Sequence, residues 1–129
     1  MSFIKNNRGQ SLVEMALVLP ILLMLIFGMV EFGRVLGSYL IMENLARDAA
    51  RYGCLGKTDA QITNNVFTEN PVLNDDVLVV NISPGQSERT RGTAIEVTLN
   101  YSVNIVAPII SDVLPNPFPL TTSCTMMVE

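Results

Sequence analysis

The chain reads as an α+β protein in which one long N-terminal helix, membrane-spanning in its first half, packs on a small three-stranded antiparallel sheet. Three observations lead there. An apolar run of 16 residues, MALVLPILLMLIFGMV, lies between Glu14 and Glu31 without a charged side chain. No proline interrupts the stretch from Glu31 to Tyr52, which becomes alanine-rich in LARDAARYG. Finally, Thr93 to Val106 alternates, with Ile95, Val97, Leu99, Tyr101, Val103 and Ile105 on one face and Glu96, Thr98, Asn100, Ser102 and Asn104 on the other. That period of two belongs to a half-buried antiparallel strand.

The first element is the span. A bilayer-crossing helix needs about 20 mostly apolar residues, and Leu12 to Phe32 meets that length. Lys5 and Arg8 precede the run, and Arg34 behind it is offset by Glu31. The positive-inside bias then puts the N-terminus in the cytoplasm and everything after Phe32 outside, in a single pass through the cytoplasmic membrane. Its 16 uncharged residues, at roughly 0.3–0.6 kcal/mol each, hold the helix in the bilayer by about 5–10 kcal/mol. A secretory signal peptide cleaved before Ser38 is the competing reading. Against it stand Glu14 inside the apolar region and a run longer than the roughly 7–15 residues of a signal peptide.

The helical pattern continues past the membrane, with Glu43 and Arg47 spaced as an i,i+4 pair, so one helix of about forty residues is expected from near Gln10 to Tyr52, ending at Gly53. Within it, Pro20 lacks the N–H that a helix uses and reads as a kink. Gly28, Gly33 and Gly37 permit close helix approach, but only Gly33 and Gly37, in GRVLG, have GxxxG spacing, and that pair equally fits a helix leaving the membrane. Glu31 and Arg34, three apart, read as an interfacial ion pair, or else as one half of a bridge to another chain.

Beyond the helix, Thr58 and Gln61 form a capping box, and Ile62, Val66 and Phe67 give a short amphipathic helix that Asn70-Pro71 stops. Val77 to Ser83 is a β-branched run, joined to the alternating strand by a polar connection in which Arg89 and Arg91 read as solvated charges. Pro108, Pro115, Pro117 and Pro119 forbid a regular central strand between Ala107 and Leu120. Ile109, Ile110, Val113, Leu114 and Phe118 are nevertheless too apolar for a free linker. This loop either covers the sheet edge, the reading we favour, or forms a partner-binding surface. Thr121 to Val128 supplies the last strand. Three regions result: a short N-terminal segment at 1–9, the long helix at 10–53 and an exported α+β domain at 54–129.

Composition narrows function. The 129 residues carry 8 Lys+Arg against 12 Asp+Glu, a net charge of -4, with no basic stretch for a nucleic acid. The chain has no His and two Cys, which removes His-dependent nucleophilic catalysis and the usual zinc ligand sets. Asp75-Asp76, Glu88 and Asp112 sit in turns with no motif around them, so we expect no enzyme, no cofactor and no metal. Cys54 and Cys124 both fall on the exported side. They are either bridged, closing a loop of about 70 residues worth about 4 kcal/mol, or two buried thiols.

Glu14 poses the sharper question, because a carboxylate inside a membrane helix costs roughly 2.5–3.5 kcal/mol unless compensated. Cutting the chain after Gly9 would create an α-ammonium on Gln10, one helical turn from Glu14. That charge can serve Glu14 of the same chain or, in a staggered parallel bundle, of a neighbour.

A short basic leader ending in Gly, a Glu at the fifth position after it and then an apolar helix resembles a type IV prepilin. Arg8-Gly9, Val13-Glu14, Ala16-Leu17, Pro20, Gly28, Glu31, Gly33-Arg34 and the stretch from Ala46 to Gly53 together resemble the TadE-like pseudopilins of tight-adherence (Flp) pilus systems. The resemblance covers roughly the first 53 residues, and Met15 stands where an aromatic residue is common in that family. It implies a pilin-like fold, and removal of the leader after Gly9 by a membrane-embedded prepilin peptidase. It also implies service as a minor pilin-like subunit, with other pilin or pseudopilin subunits, an assembly platform and an ATPase as partners, and an extracellular pilus as a destination after assembly. A membrane-anchored binding module that never enters a filament is the alternative function.

Overall fold

The computed structural model describes residues 7–129, with side chains from residue 9 onward. Lys5 and the side chain of Arg8, read above as the basic leader, lie outside the described residues. The first helix, α1, runs Asn7–Cys54 for 48 residues, about 72 Å at 1.5 Å per residue. It is longer at both ends than the Gln10–Tyr52 segment expected from sequence. Gly9 stays helical, since an isolated glycine weakens a helix by about 1 kcal/mol without ending it. Pro20 sits inside α1, leaving the carbonyl one turn before it without its helical donor.

The C-terminal stop is Gly56, not Gly53. Gly56 takes φ +73°, and a Schellman pair closes around it: the Lys57 N–H donates to the Tyr52 carbonyl at 3.4 Å and the Gly56 N–H to the Gly53 carbonyl at 3.1 Å. Gly53 has a different purpose. It is buried where α1 lies on the sheet, and a Cβ there would collide with Ile95 Cδ1.

The second helix, α2, spans Asp59–Glu69 and starts with both halves of the capping box. The Gln61 N–H donates to Thr58 Oγ1 at 3.2 Å, and the Thr58 N–H donates to Gln61 Oε1 at 3.1 Å. Ile62 and Val66, one turn apart, bury completely, and α2 packs on α1.

The sheet contains β1 (Val79–Ser83), β2 (Ala94–Val103) and β3 (Phe118–Met127) in the order β1-β2-β3, antiparallel throughout. Central β2 sets the register, with Val97 opposite Ile82 on one side and Cys124 on the other. Its inward residues Ile95, Val97 and Leu99 are fully buried, and α1 meets them with Met42, Leu45, Ala46, Ala49 and Ala50. Those positions recur at i, i+3, i+4, i+7 and i+8, one stripe of the helix, and three of the five are alanine, so the axis can ride close to the sheet. Each large aliphatic side chain buried here contributes about 1.5–3 kcal/mol relative to exposure.

β3 begins at Phe118, three residues before the strand expected from sequence, and contains Pro119. As an edge strand it tolerates a residue without an N–H. The preceding segment does not lie along the sheet edge, the placement favoured above. It crosses to α1, forms a single helical turn, α3 (Ile110–Val113), and sets the Ile110 side chain 3.6 Å from the Cβ position of Gly28.

Candidate functional site

From Gly9 to Val30 every residue of α1 is exposed except half-buried Gly28, and the most apolar window of the helix has no residue buried inside the protein. Gln10 and Glu14 share one face at i,i+4 spacing. Glu14 is exposed and makes no ion pair among the described residues. The Gly9–Gln10 bond is likewise exposed, close to the end of α1, where helices fray most easily. Gly33 and Gly37 have open space where a Cβ would stand.

At Glu31 the surroundings change. Its carboxylate side chain is only 7% exposed and receives three hydrogen bonds. Arg34 Nη1 donates to both oxygens, at 3.0 and 2.9 Å, and the Val106 N–H donates to Oε1 at 2.9 Å. Arg34 Nη2 also reaches the Asn104 carbonyl at 3.4 Å. Glu31 and Arg34 thus join a helix turn to the end of the central strand across 75 and 70 residues of sequence. Asn116, between Pro115 and Pro117, closes the other side: it accepts the Ile105 N–H at 3.1 Å and returns an N–H to the Ile105 carbonyl at 3.2 Å. This side-chain amide replaces a missing strand partner for Ile105.

Residues 105–116 therefore form a clasp held at its base by Asn116 and tied to α1 by Glu31. An apolar cavity of about 310 Å3 opens between clasp and helix, walled by Phe32, Val35, Ile110, Leu114 and Phe118. At its turn Ile109 has φ +73°, a left-handed conformation that a β-branched residue adopts only under constraint from its surroundings. The Glu31–Arg34 pair was visible in the sequence by its spacing. The bonds to Val106 and from Asn116 were not, because neither has a local pattern.

The family model for TadE-like proteins matches residues 9–51. Over that helix, a third of its length, the chain is similar to TadE-like proteins. No curated protein and no solved structure matches the chain. The match suggests involvement in the Tad pilus system, in association with pilus components and a membrane. Since α1 is long and apolar enough to cross a bilayer, the TadE-like segment fits single-pass membrane anchoring. It includes Glu14, Glu31, Arg34 and the buried alanine stripe, and ends before α2 and the sheet.

Beyond the matched helix, a further assignment from sequence needs correction. Arg89 is not a solvated charge: its side chain is 5% exposed. It pairs with Asp59 at the start of α2 and donates to the carbonyls of Pro84 at 3.0 Å and Lys57 at 3.2 Å. Desolvation draws its pKa below the ordinary arginine value. The polar loop folds back on the α2 N-terminus, which no local pattern around Arg89 announces. Arg91 is exposed. Cys54 and Cys124 are free thiols, both half-buried against the same core. Burial, with Glu129 and Cys124 nearby, raises the Cys54 pKa, which favours a protonated thiol over a reactive thiolate. Among the described residues no group of three Cys, Asp or Glu side chains is placed to hold a metal ion.

Proposed function

We propose that this chain is a pilin-like structural subunit, a pseudopilin, of a tight-adherence type IV pilus, processed after Gly9 and assembled through its N-terminal helix. The observation that carries the reading is the first half of α1, apolar on all sides, met by its own chain only near its outer end around Gly28, and bearing one carboxylate, Glu14. A helix of that kind is at rest in a bilayer or in a bundle of like helices. Cleavage after Gly9 leaves a positive terminus on Gln10, four residues before Glu14 on the same face. The pair formed, within one chain or between staggered neighbours, sets the axial position of the subunit. Gly33 and Gly37 leave space where a Cβ would stand, on the side of α1 where a cleft faces residues 72–74 and 101–104 of the same chain.

The protein acts as a scaffold element, not an enzyme. Its partners are a prepilin peptidase, other pilin or pseudopilin subunits, and the platform and ATPase that supply the work of extraction. It sits with its N-terminus in the cytoplasm and its sheet outside. The test is the intact mass and N-terminal sequence of the protein from cells with and without prepilin peptidase. A start at Gln10 that depends on the peptidase is expected. Met1 in both strains overturns the reading in favour of a static anchored binding module, and Ser38 would make it a secreted protein.

A further inference from the structure

The clasp lies at an unusual height on α1. Leu12 to Phe32 spans about 31 Å at 1.5 Å per residue, the thickness of a hydrocarbon core. Ile110 packs beside Gly28, which is four residues, or about 6 Å, inside the outer end of that span. Val106 is bonded to Glu31, in the same turn. The clasp is therefore level with the last turn of the span, while the rest of the exported domain stands above it.

Its surface has the matching chemistry. Val106 is 74% exposed and Val113 78%, with Ile109 and Leu114 also open. Between Ile105 and Phe118 the one charged residue is Asp112. Glu31, which would otherwise present a carboxylate at this depth, is covered by the clasp and neutralised by Arg34. The exposed face of the clasp is continuous with the apolar surface of α1, through Phe27 and Val30 beside Val106 and through Phe32 beside Ile110 and Leu114.

We infer that the 106–114 segment is a second membrane contact, a shallow wedge inserted into the outer leaflet beside the span, with lipid acyl chains as its occupant. The inference rests on the single-pass reading of α1. A depth of about 6 Å falls within the 5–10 Å at which interfacial elements lie, and Asp112 on the small α3 turn marks the side that faces headgroups. Acyl chains would also fill the cavity between clasp and helix, whose walls are aliphatic and aromatic. Two contacts at one level fix the rotation and tilt of the exported domain against the bilayer, which one helix alone leaves free.

The chain has no Trp, so single-tryptophan variants of the full-length protein report position without background. Val113→Trp and Val106→Trp replace exposed side chains and keep the Val106 N–H bond, which is backbone. Leu22→Trp, at mid-span, tests the span itself. Leu55→Trp, just past the end of α1 and about 34 Å beyond Phe32, is the solvent control. Each is reconstituted in phosphatidylethanolamine and phosphatidylglycerol vesicles containing lipids brominated either near the headgroup end or near the terminus of the acyl chain. Loss of Val113→Trp and Val106→Trp emission with the shallow label, loss of Leu22→Trp emission with the deep one, and none at Leu55→Trp is the expected pattern. If Leu22→Trp is quenched and both clasp variants are not, the wedge is wrong and the span stands. A blue-shifted but unquenched clasp tryptophan also overturns it, showing protein rather than lipid over this face. An unquenched Leu22→Trp sinks the span and the wedge with it.

Discussion

From Gly9 to Val30, α1 exposes apolar side chains on every side; from Glu31 to Cys54 the same helix buries one stripe and presents charges such as Asp48 and Arg51 on the other. Backbone geometry is common to both halves, and the side chains of both favour a helix. What separates them is the medium each can satisfy. The outer half has the sheet as its partner, and its alanines give up side-chain volume to bring the helix axis near Ile95, Val97 and Leu99. Below the clasp contact at Gly28 the inner half has no partner in the chain, so its apolar surface belongs to lipid or to other helices. Glu31 marks the junction, where a carboxylate is kept at the edge of the apolar span because a loop covers it and Arg34 neutralises it.

Urea unfolding of the exported domain in detergent-held full-length protein separates the halves most strongly. Leu99→Ala, which empties a fully buried position, should lower stability by about 2–5 kcal/mol. Leu22→Ala, half exposed on the partnerless half, should leave the midpoint where it is. A comparable loss at Leu22 would mean that the inner half folds back on the domain.

The glycines of α1 offer a finer division. Gly53→Ala drives a methyl into Ile95 and is expected to cost about 1–3 kcal/mol in the same measurement. Gly33→Ala meets open space and should gain up to about 1 kcal/mol from helix propensity in the isolated chain. If Gly33→Ala stabilises the isolated protein yet blocks its incorporation into filaments, the open space at Gly33 is a helix-packing site. Equal destabilisation by both would erase the distinction between a glycine needed by the fold and one left open.

The smallest effect probes the junction. Glu31→Gln keeps an acceptor for the Val106 N–H but discharges the pair with half-exposed Arg34, and about 1 kcal/mol should be lost while Val106 keeps its protection from hydrogen exchange. Rapid exchange at Val106 in the unmodified protein would show instead that the clasp does not rest on Glu31 in solution.

Much of the fold was readable locally. The apolar run, the capping box at Thr58, the alternation of β2 and the Glu31–Arg34 and Glu43–Arg47 spacings all depend on residues within a few positions of one another. The candidate processing and pairing residues, Gly9, Gln10 and Glu14, are equally a matter of local sequence. The misreadings share another feature. Gly53 looked like a helix stop because glycine commonly ends helices, but it is glycine because Ile95, forty-two positions later, lies against it. Arg89 looked solvated in a polar loop, yet Asp59, Lys57 and Pro84 enclose it. The proline-rich segment was rightly read as apolar and, as far as Pro117, non-strand, but β3 already begins at Phe118, and the favoured destination was the sheet edge when Glu31 and Gly28 hold the segment on α1.

Periodicity, charge placement and capping chemistry were therefore sufficient for the kinds of element and for their order, because short-range sterics and hydrogen bonding govern them. Which glycine ends α1, where the clasp docks and how Glu31 is neutralised depend on contacts between residues far apart in the chain. Such contacts form only when the sheet, α1 and the 105–116 segment pack together, and the burial they produce decides whether a polar side chain meets water or a partner.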